Sequence, residues 1–367
     1  MNVADSDFMS ENLINAGYEK CNDIRKADII IVNTCTVRQH AEERALSFIG
    51  ELKKLKNSAR GGSAYSSGEK NKKLKIFIAG CVASRLKEKL KKKFPYIDKI
   101  IPVTEIEKFS EIVKDAVDIT PEKPKTKKLI RQRRTHRFKW RENKETEFVT
   151  ITKGCSNFCS YCIVPFVRGG EISKPKNDIL ADVKKLISQG RSEVTLLGQN
   201  VNSYKVGSFD FSDLLIELNK IPQIKKINFM TSHPKDMSDK IINAIASCKK
   251  VARQIHLPVQ SGSNKILKLM NRKYTREKYL KIIKKLKNRI PDVAVTTDII
   301  VGFPTETEKD FQQTLDIIKK AGFKSAFTFK YSPRENTTAF NMKDDVPRSV
   351  KKERLARLNT IFYNNVG

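Results

Sequence analysis

This 367-residue chain is poor in histidine, in acidic residues relative to basic ones, and in long apolar stretches. With four histidines in all, and none inside its cysteine-rich run, imidazole-based metal sites have little material to draw on. The purely aliphatic runs, such as 29–32, fall far short of the roughly 20 apolar residues that a membrane-spanning helix needs. Residues 1–7 contain acids and no apolar core of a signal peptide. A cytoplasmic protein with no membrane association is therefore expected. Acids number 41 against 72 lysines and arginines, for a formal charge of +31. That imbalance points to a polyanionic partner such as nucleic acid, although a lysine-rich codon bias produces the same excess. Seven cysteines in a reducing compartment are poor evidence for disulfides, which leaves metal or cluster ligation as the better reading.

The apolar content, 39%, suffices for well-packed cores, and the length allows two or three domains. Helical and extended patterns alternate through residues 1–120: helix over 6–16, strand over 27–34, helix over 39–55, strand over 75–79, helix over 85–94, strand over 99–103. Such alternation predicts a parallel sheet covered by helices on both faces. A Gly/Ser/Lys stretch over 57–73 reads as a surface insertion. Residues 121–146 read as a basic linker. Within it, 125–141 carries nine Lys/Arg and no acid, with Phe138 and Trp140 interleaved, a composition suited to phosphate contacts and base stacking and equally to a solvated linker.

From 147 the alternation restarts. Strands are expected over 148–152, 193–197, 226–231, 253–259, 294–301 and 325–331, separated by helices such as 177–189, 238–249, 275–289 and 306–321. Six strand–helix units over 147–340 predict a partial (βα)6 barrel, followed by a C-terminal extension over 341–367. Chemistry in such barrels sits at the C-terminal strand ends. Each expected strand is followed there by a polar or glycine-rich cluster: Gly154-Cys155, Gly198-Gln199-Asn200, Ser232-His233-Pro234, Gln260-Ser261-Gly262, Gly302-Phe303-Pro304 and Tyr331-Ser332-Pro333-Arg334.

The run Lys153-Gly-Cys155-Ser-Asn-Phe-Cys159-Ser-Tyr161-Cys162 carries the sharpest chemical signal. Thiolates at Cys-x3-Cys-x2-Cys spacing can hold an iron–sulfur cluster, and a four-iron cluster usually takes four of them. With no fourth cysteine nearby, one iron stays open to an exogenous ligand. Zinc would need four ligands, or three and water, and only His233 and His256 could approach the run. Cys35 and Cys81 each end a predicted strand, and ligands of open α/β sheets bind beyond those ends, so both thiols should share one rim. Burial as packing cysteines is the other reading. Cys21 and Cys248 read as ordinary thiols in helical, charged contexts.

The spacing, placed after the first strand of a six-unit barrel, resembles the radical S-adenosylmethionine superfamily. Further segments narrow the resemblance to the methylthiotransferases: Val32-Asn-Thr-Cys35-Thr-Val-Arg38, Gly80-Cys81-Val-Ala, Pro165-Phe-Val-Arg168-Gly169, Leu196-Leu-Gly-Gln-Asn-Val-Asn202, Thr231-Ser-His-Pro234, His256-Leu-Pro-Val-Gln-Ser-Gly-Ser263, Met270-Asn-Arg272, Asp298-Ile-Ile-Val-Gly-Phe-Pro304 and Tyr331-Ser-Pro-Arg334. It implies a 4Fe–4S cluster on Cys155, Cys159 and Cys162 that binds S-adenosylmethionine and cleaves it to a 5′-deoxyadenosyl radical. It also implies a second, auxiliary 4Fe–4S cluster with Cys35 and Cys81 as two of three ligands. The implied reaction is sulfur insertion at C2, then methylation, of N6-isopentenyladenosine at position 37 of tRNA. Sister enzymes acting on threonylcarbamoyladenosine tRNA or on a ribosomal protein share the clusters and fold, and a shortened form would only cleave S-adenosylmethionine. Tyr161, Gly198, Gln199, Asn200, Gln260, Ser261 and Gly302 match positions around S-adenosylmethionine. The implied partners are tRNA, a reductant such as flavodoxin or ferredoxin, and a sulfur donor; a monomer is expected.

Met1-Asn-Val-Ala-Asp-Ser matches the family just after its first Gly-Cys-Gln, and residues 341–367 stand where an RNA-binding β module usually follows. The expectation is therefore a fragment or a misassigned start. One auxiliary ligand and the first strand would then be missing, and a place in the sheet would stand unfilled.

Overall fold

The computed structural model describes residues 1–58, 74–116, 127–130 and 146–363. The chain divides into two compact units, one of residues 1–139 with 166–169 and one of residues 140–165 with 170–367.

The first unit is built on five parallel strands, β1 (Tyr18–Cys21), β2 (Ile29–Thr34), β3 (Lys75–Gly80), β4 (Lys99–Ile101) and β5 (Lys127–Ile130), in the order β1-β5-β2-β3-β4. Period-two alternation sorts β2 and β3 onto two cores. Ile30, Val32, Ile76 and Ile78 pack with Ile49, Leu52, Leu90 and Phe94 on one face. Ile29, Phe77 and Ala79 pack with Met9, Leu13, Phe109 and Val113 on the other. Helices Asn2–Asn15 and Phe109–Ala116 thus cover one side, and helices Gln39–Ser58 and Glu88–Lys93 the other, the doubly wound arrangement predicted.

Several expectations are corrected here. Tyr18–Cys21, unforeseen as a strand, has its ends buried and its middle exposed, so Cys21 is a strand residue whose Sγ donates to Asp23 O (3.2 Å). The helix expected over 85–94 is two, Cys81–Leu86 and Glu88–Lys93, because Lys87 turns with a positive φ of 43°. The place expected to stand unfilled is occupied. Strand β5, which falls inside the stretch read as linker, lies between β1 and β2 and pairs with both. Its ladder satisfies backbone donors and acceptors that would otherwise be orphaned. Phe138, Trp140 and the insertion over 59–73 lie outside the described residues.

The second unit repeats strand and helix six times. Its strands β6 (Thr146–Thr150), β9 (Glu193–Leu197) and β12 (Lys226–Phe229) form one parallel ladder, and β13 (Gln254–His256), β14 (Ala294–Val301) and β15 (Ser325–Lys330) form another. Parallel pairing of Ile227 with Val251 and donation from Ser232 N to His256 O (3.3 Å) join the two halves, which makes the curved six-strand wall of a partial barrel. Two short antiparallel pairs decorate it, β7 (Thr152–Lys153) with β8 (Ile172–Ser173) and β10 (Lys205–Val206) with β11 (Phe209–Asp210). Local chemistry starts the helices. Asp210 and Asp213 form a reciprocal capping box for Phe211–Lys220, as do Thr307 and Asp310 for Glu308–Ala321, which ends on left-handed Gly322; such boxes satisfy otherwise orphaned N–H groups. Among the described residues no helix is long and apolar enough to cross a membrane.

Candidate functional site

In the second unit the three cysteines occupy the loop that follows β7. Gly154 turns it with φ 71° and Phe158 with φ 46°, and Cys162 N donates back to Cys159 O (2.9 Å). A distant tract holds this loop in place. Ser160 N donates to Met270 O (3.0 Å) and Ser160 Oγ to Leu269 O (2.7 Å). Asn271 Nδ2 donates to Phe158 O (2.8 Å), and Ala339 N to Ser160 O (2.7 Å). These bonds hold the loop in place, and burial, together with Cys159 and Cys155, pushes the Cys162 thiol up to about 12. Among the described residues no three His, Cys, Asp or Glu side chains converge tightly enough for a single metal ion.

Among the buried polar atoms without a partner, several lie at or near the C-terminal ends of the second unit's strands. Thr152 Oγ1, Asn200 Oδ1, Ser232 Oγ, His233 Nε2, Gln260 Oε1 and, within β14, Asp298 Oδ1 are all in this state. Buried polar groups are almost always hydrogen-bonded, and exceptions ask for an explanation. Five of these atoms are oxygens, and a ligand bearing an ammonium, hydroxyls and an exocyclic amine supplies the donors they lack, so the residues present fit S-adenosylmethionine; His233 Nε2, the N–H of a ring that accepts through Nδ1, calls for an acceptor. Gln260 adds backbone strain to the same place, at φ 68°.

The residues expected around that ligand divide. Asn200 sits beyond β9 with Nδ2 committed to Asp236 Oδ2 (2.7 Å) and Oδ1 open, and Gln199 beside it is half-buried. Gln260 is open through Oε1. Tyr161 packs against Ile266, Met270, Phe303 and Tyr331. Three others are committed to the fold. A Cβ on Gly198 would collide with the Thr152 hydroxyl, so this glycine lets two strand ends close. Ser261 Oγ accepts from Ser263 N (3.2 Å) and meets Thr314 Oγ1 (3.4 Å). Gly302 N donates to Glu306 Oε1 (2.9 Å), and that carboxylate is paired with buried Arg354 (2.7 Å).

Arg272, present in the sequence only as part of a matching segment, turns out to touch the cysteine loop. It is 8% exposed, and its Nη1 donates to Cys159 Sγ at 3.3 Å and to Tyr161 Oη at 3.5 Å. Nothing in the residue string distinguishes it from the many solvated arginines of this basic chain. His233, considered above as a zinc ligand, accepts from Lys235 N through Nδ1 (3.2 Å). Burial, with Arg272 and Lys235 nearby, lowers it to about 2.

In the first unit Cys35 and Cys81 follow Thr34 and Gly80, which are register partners on adjacent strands. Gly80 turns with φ 93°, and a Cβ there would collide with Asn33 and with the Thr34 backbone. The two strand ends therefore close on each other. Thr34 Oγ1 donates to Ala79 O (2.6 Å) and accepts from Val82 N (3.1 Å), which starts the helix that Cys81 begins. Buried Arg168, from the 166–169 segment of this unit, hydrogen-bonds Cys81 and donates to Asn2 Oδ1 (2.9 Å) and Asp5 Oδ2 (3.0 Å). The Cys81 thiol is raised by burial, against the pull of Arg168, and further by Cys35. The structure thus brings together the two thiols that the sequence placed on one rim.

Comparison with known proteins is consistent with this geometry. Residues 149–318 match the Radical SAM superfamily and residues 1–102 match Uncharacterized protein family UPF0004. The chain is 46% identical, over 98% of its length and 78% of the other protein, to a tRNA-2-methylthio-N(6)-dimethylallyladenosine synthase of Clostridium botulinum. It is 45% identical, over 98% of its length and 74% of the other, to the protein of that name from Thermoanaerobacter pseudethanolicus. In fold it is similar to the radical S-adenosylmethionine methyltransferase TsrM of Kitasatospora setae, solved with cobalamin and a 4Fe–4S cluster. The TM-score there is 0.59 at 12% identity, covering 85% of this chain and 62% of that one.

Proposed function

Because the chain belongs to the methylthiotransferase family of radical S-adenosylmethionine enzymes, whose cofactors are 4Fe–4S clusters and S-adenosylmethionine, we propose that it converts N6-isopentenyladenosine at position 37 of tRNA to the 2-methylthio nucleoside. The observation that carries the substrate is the 44–46% identity across 98% of the chain to synthases of that name. The site supports the chemistry. When bound, the cluster and S-adenosylmethionine supply one-electron chemistry that can activate the C2–H of adenine, which no side-chain base can usefully deprotonate.

The chain's own residues have definable tasks in this reading. Cys155, Cys159 and Cys162 hold the cluster, on a loop that Leu269, Met270, Asn271 and Ala339 keep in place. Asn200, Ser232 and Gln260 turn open oxygens toward the donors of S-adenosylmethionine, with Gln199 beside them and Tyr161 closing the apolar side. Gly198, Ser261 and Gly302 shape the strand ends behind them. Cys35 and Cys81 contribute to the auxiliary cluster, with Arg168 between Cys81 and Asp5. A flavodoxin- or ferredoxin-type reductant and a separate sulfur donor complete the set, and the protein works as a cytoplasmic monomer.

The test is nucleoside mass spectrometry of tRNA from cells lacking their own enzyme and expressing this chain. Appearance of 2-methylthio-N6-isopentenyladenosine at the expense of its precursor is expected. An untouched precursor alongside a newly methylthiolated threonylcarbamoyladenosine or ribosomal protein would overturn the substrate assignment.

A further inference from the structure

A guanidinium that is out of water needs an anion, because burying an unpaired charge costs far more than any neutral hydrogen bond returns. Arg272 is 8% exposed, and among the described residues no carboxylate pairs with it. Its donors are spent instead on neutral groups and one sulfur. Nε donates to Tyr274 Oη (3.0 Å), Nη2 to Pro258 O (3.1 Å), and Nη1 to Cys159 Sγ (3.3 Å) and Tyr161 Oη (3.5 Å). The Tyr274 hydroxyl donates onward to Val259 O (2.9 Å), so its lone pairs are free for Arg272 and the phenol is locked in orientation. The guanidinium is therefore a fixed positive charge, aimed at a cysteine sulfur by a rigid frame.

We propose that Arg272 is the charge partner of the cluster held by Cys155, Cys159 and Cys162, a positioning residue that makes the cluster easier to reduce. This rests on the reading of those cysteines given above. Three thiolates around a 4Fe–4S core carry a net charge of about −1 when oxidised and about −2 when reduced. In the reducing step one electron passes from a low-potential one-electron donor to the cluster, no bond forms or breaks, and the negative charge facing Arg272 grows by one. A hydrogen bond from a charged donor to a cluster sulfur favours that state, as hydrogen bonds and local charge tune such clusters generally.

The experiment uses the full chain with Cys35→Ala and Cys81→Ala, so that a single cluster is observed. After anaerobic reconstitution, the reduced fraction is followed by electron paramagnetic resonance at poised potentials with dithionite as reductant. Arg272→Gln keeps a donor and removes the charge; Arg272→Lys keeps the charge and removes the planar fork. Arg272→Gln should lower the reduced-to-oxidised ratio at least tenfold at a fixed potential, a shift of about 59 mV for one electron, while Arg272→Lys, which keeps the charge and loses the fork, lowers it by clearly less. Failure of the Gln variant alone to assemble a cluster would make Arg272 an assembly residue and overturn the redox role. Equal shifts in both variants, no shift in the Gln variant, or cluster loss in both would overturn the proposal. A parent that binds no cluster would instead sink the underlying reading of the three cysteines.

Discussion

The two cysteine sites are built by opposite means. Cys155, Cys159 and Cys162 lie within one short loop, so their spacing is written in the sequence, and the fold's contribution is to staple that loop to residues 269–272 and 339. Cys35 and Cys81 are far apart in the chain, and only the parallel register of β2 with β3, which pairs Thr34 with Gly80, makes them neighbours. Their charge environments differ as well. Arg168 beside Cys81 already has Asp5 as a counter-ion at 3.0 Å, whereas Arg272 beside Cys159 has no carboxylate partner among the described residues. A cation with its own acid is already compensated, whereas one without it leaves its charge facing its neutral neighbours.

The largest effect that could break this comparison is a ligand exchange. Cys159→Ala should abolish both cluster binding at the loop and deoxyadenosine formation. Cys81→Ala should leave deoxyadenosine formation near the parent level and abolish the 2-methylthio product. Iron counting with liquid chromatography of both products would show it, and loss of deoxyadenosine in both variants would mean that the sites do not divide the chemistry.

A smaller effect probes how each site is assembled. Gly80→Ala forces a Cβ into the Thr34 backbone at φ 93°, which should destabilise the first unit by about 2 kcal/mol or more and lower the iron retained by Cys35 and Cys81. The loop triad should keep its iron. Urea unfolding with iron analysis is the measurement, and unchanged stability would show that the strand ends have room to spare.

The smallest effect sharpens the electrostatic side. His233, held near 2 by burial and by the nearby Arg272 and Lys235, stays neutral in the folded chain while its unfolded counterpart titrates at about 6.5. Between those values the unfolded state binds the extra proton. The stability due to neutral His233 is thus fully present above about pH 6.5 and is lost as pH falls toward 2. Urea unfolding at pH 7.5 and 5.5 should show the parent losing about 1 kcal/mol more than His233→Asn. Equal losses would place His233 in contact with water.

Much of this was legible without coordinates. The Cys-x3-Cys-x2-Cys run specifies its own site because its members are neighbours in the chain, and strands β9 and β14 fall on the bounds that alternation predicts, 193–197 and 294–301. Local periodicity fails for Tyr18–Cys21 and Lys127–Ile130, each four residues long. Such short strands carry too little pattern, and what makes them strands is a partner elsewhere in the chain. The open oxygens of Asn200 and Gln260 belong to residues the sequence had already singled out. The commitment of Gly198, Ser261 and Gly302 to packing was not legible, since it depends on how closely Thr152, Thr314 and Glu306 approach. By itself, then, the sequence determined the order of elements and the identity of the loop thiols, because both are properties of neighbours along the chain. Only the tertiary structure decided that Cys35 meets Cys81 and that one arginine among many is buried against Cys159, because burial and pairing arise only when distant segments exclude water from each other.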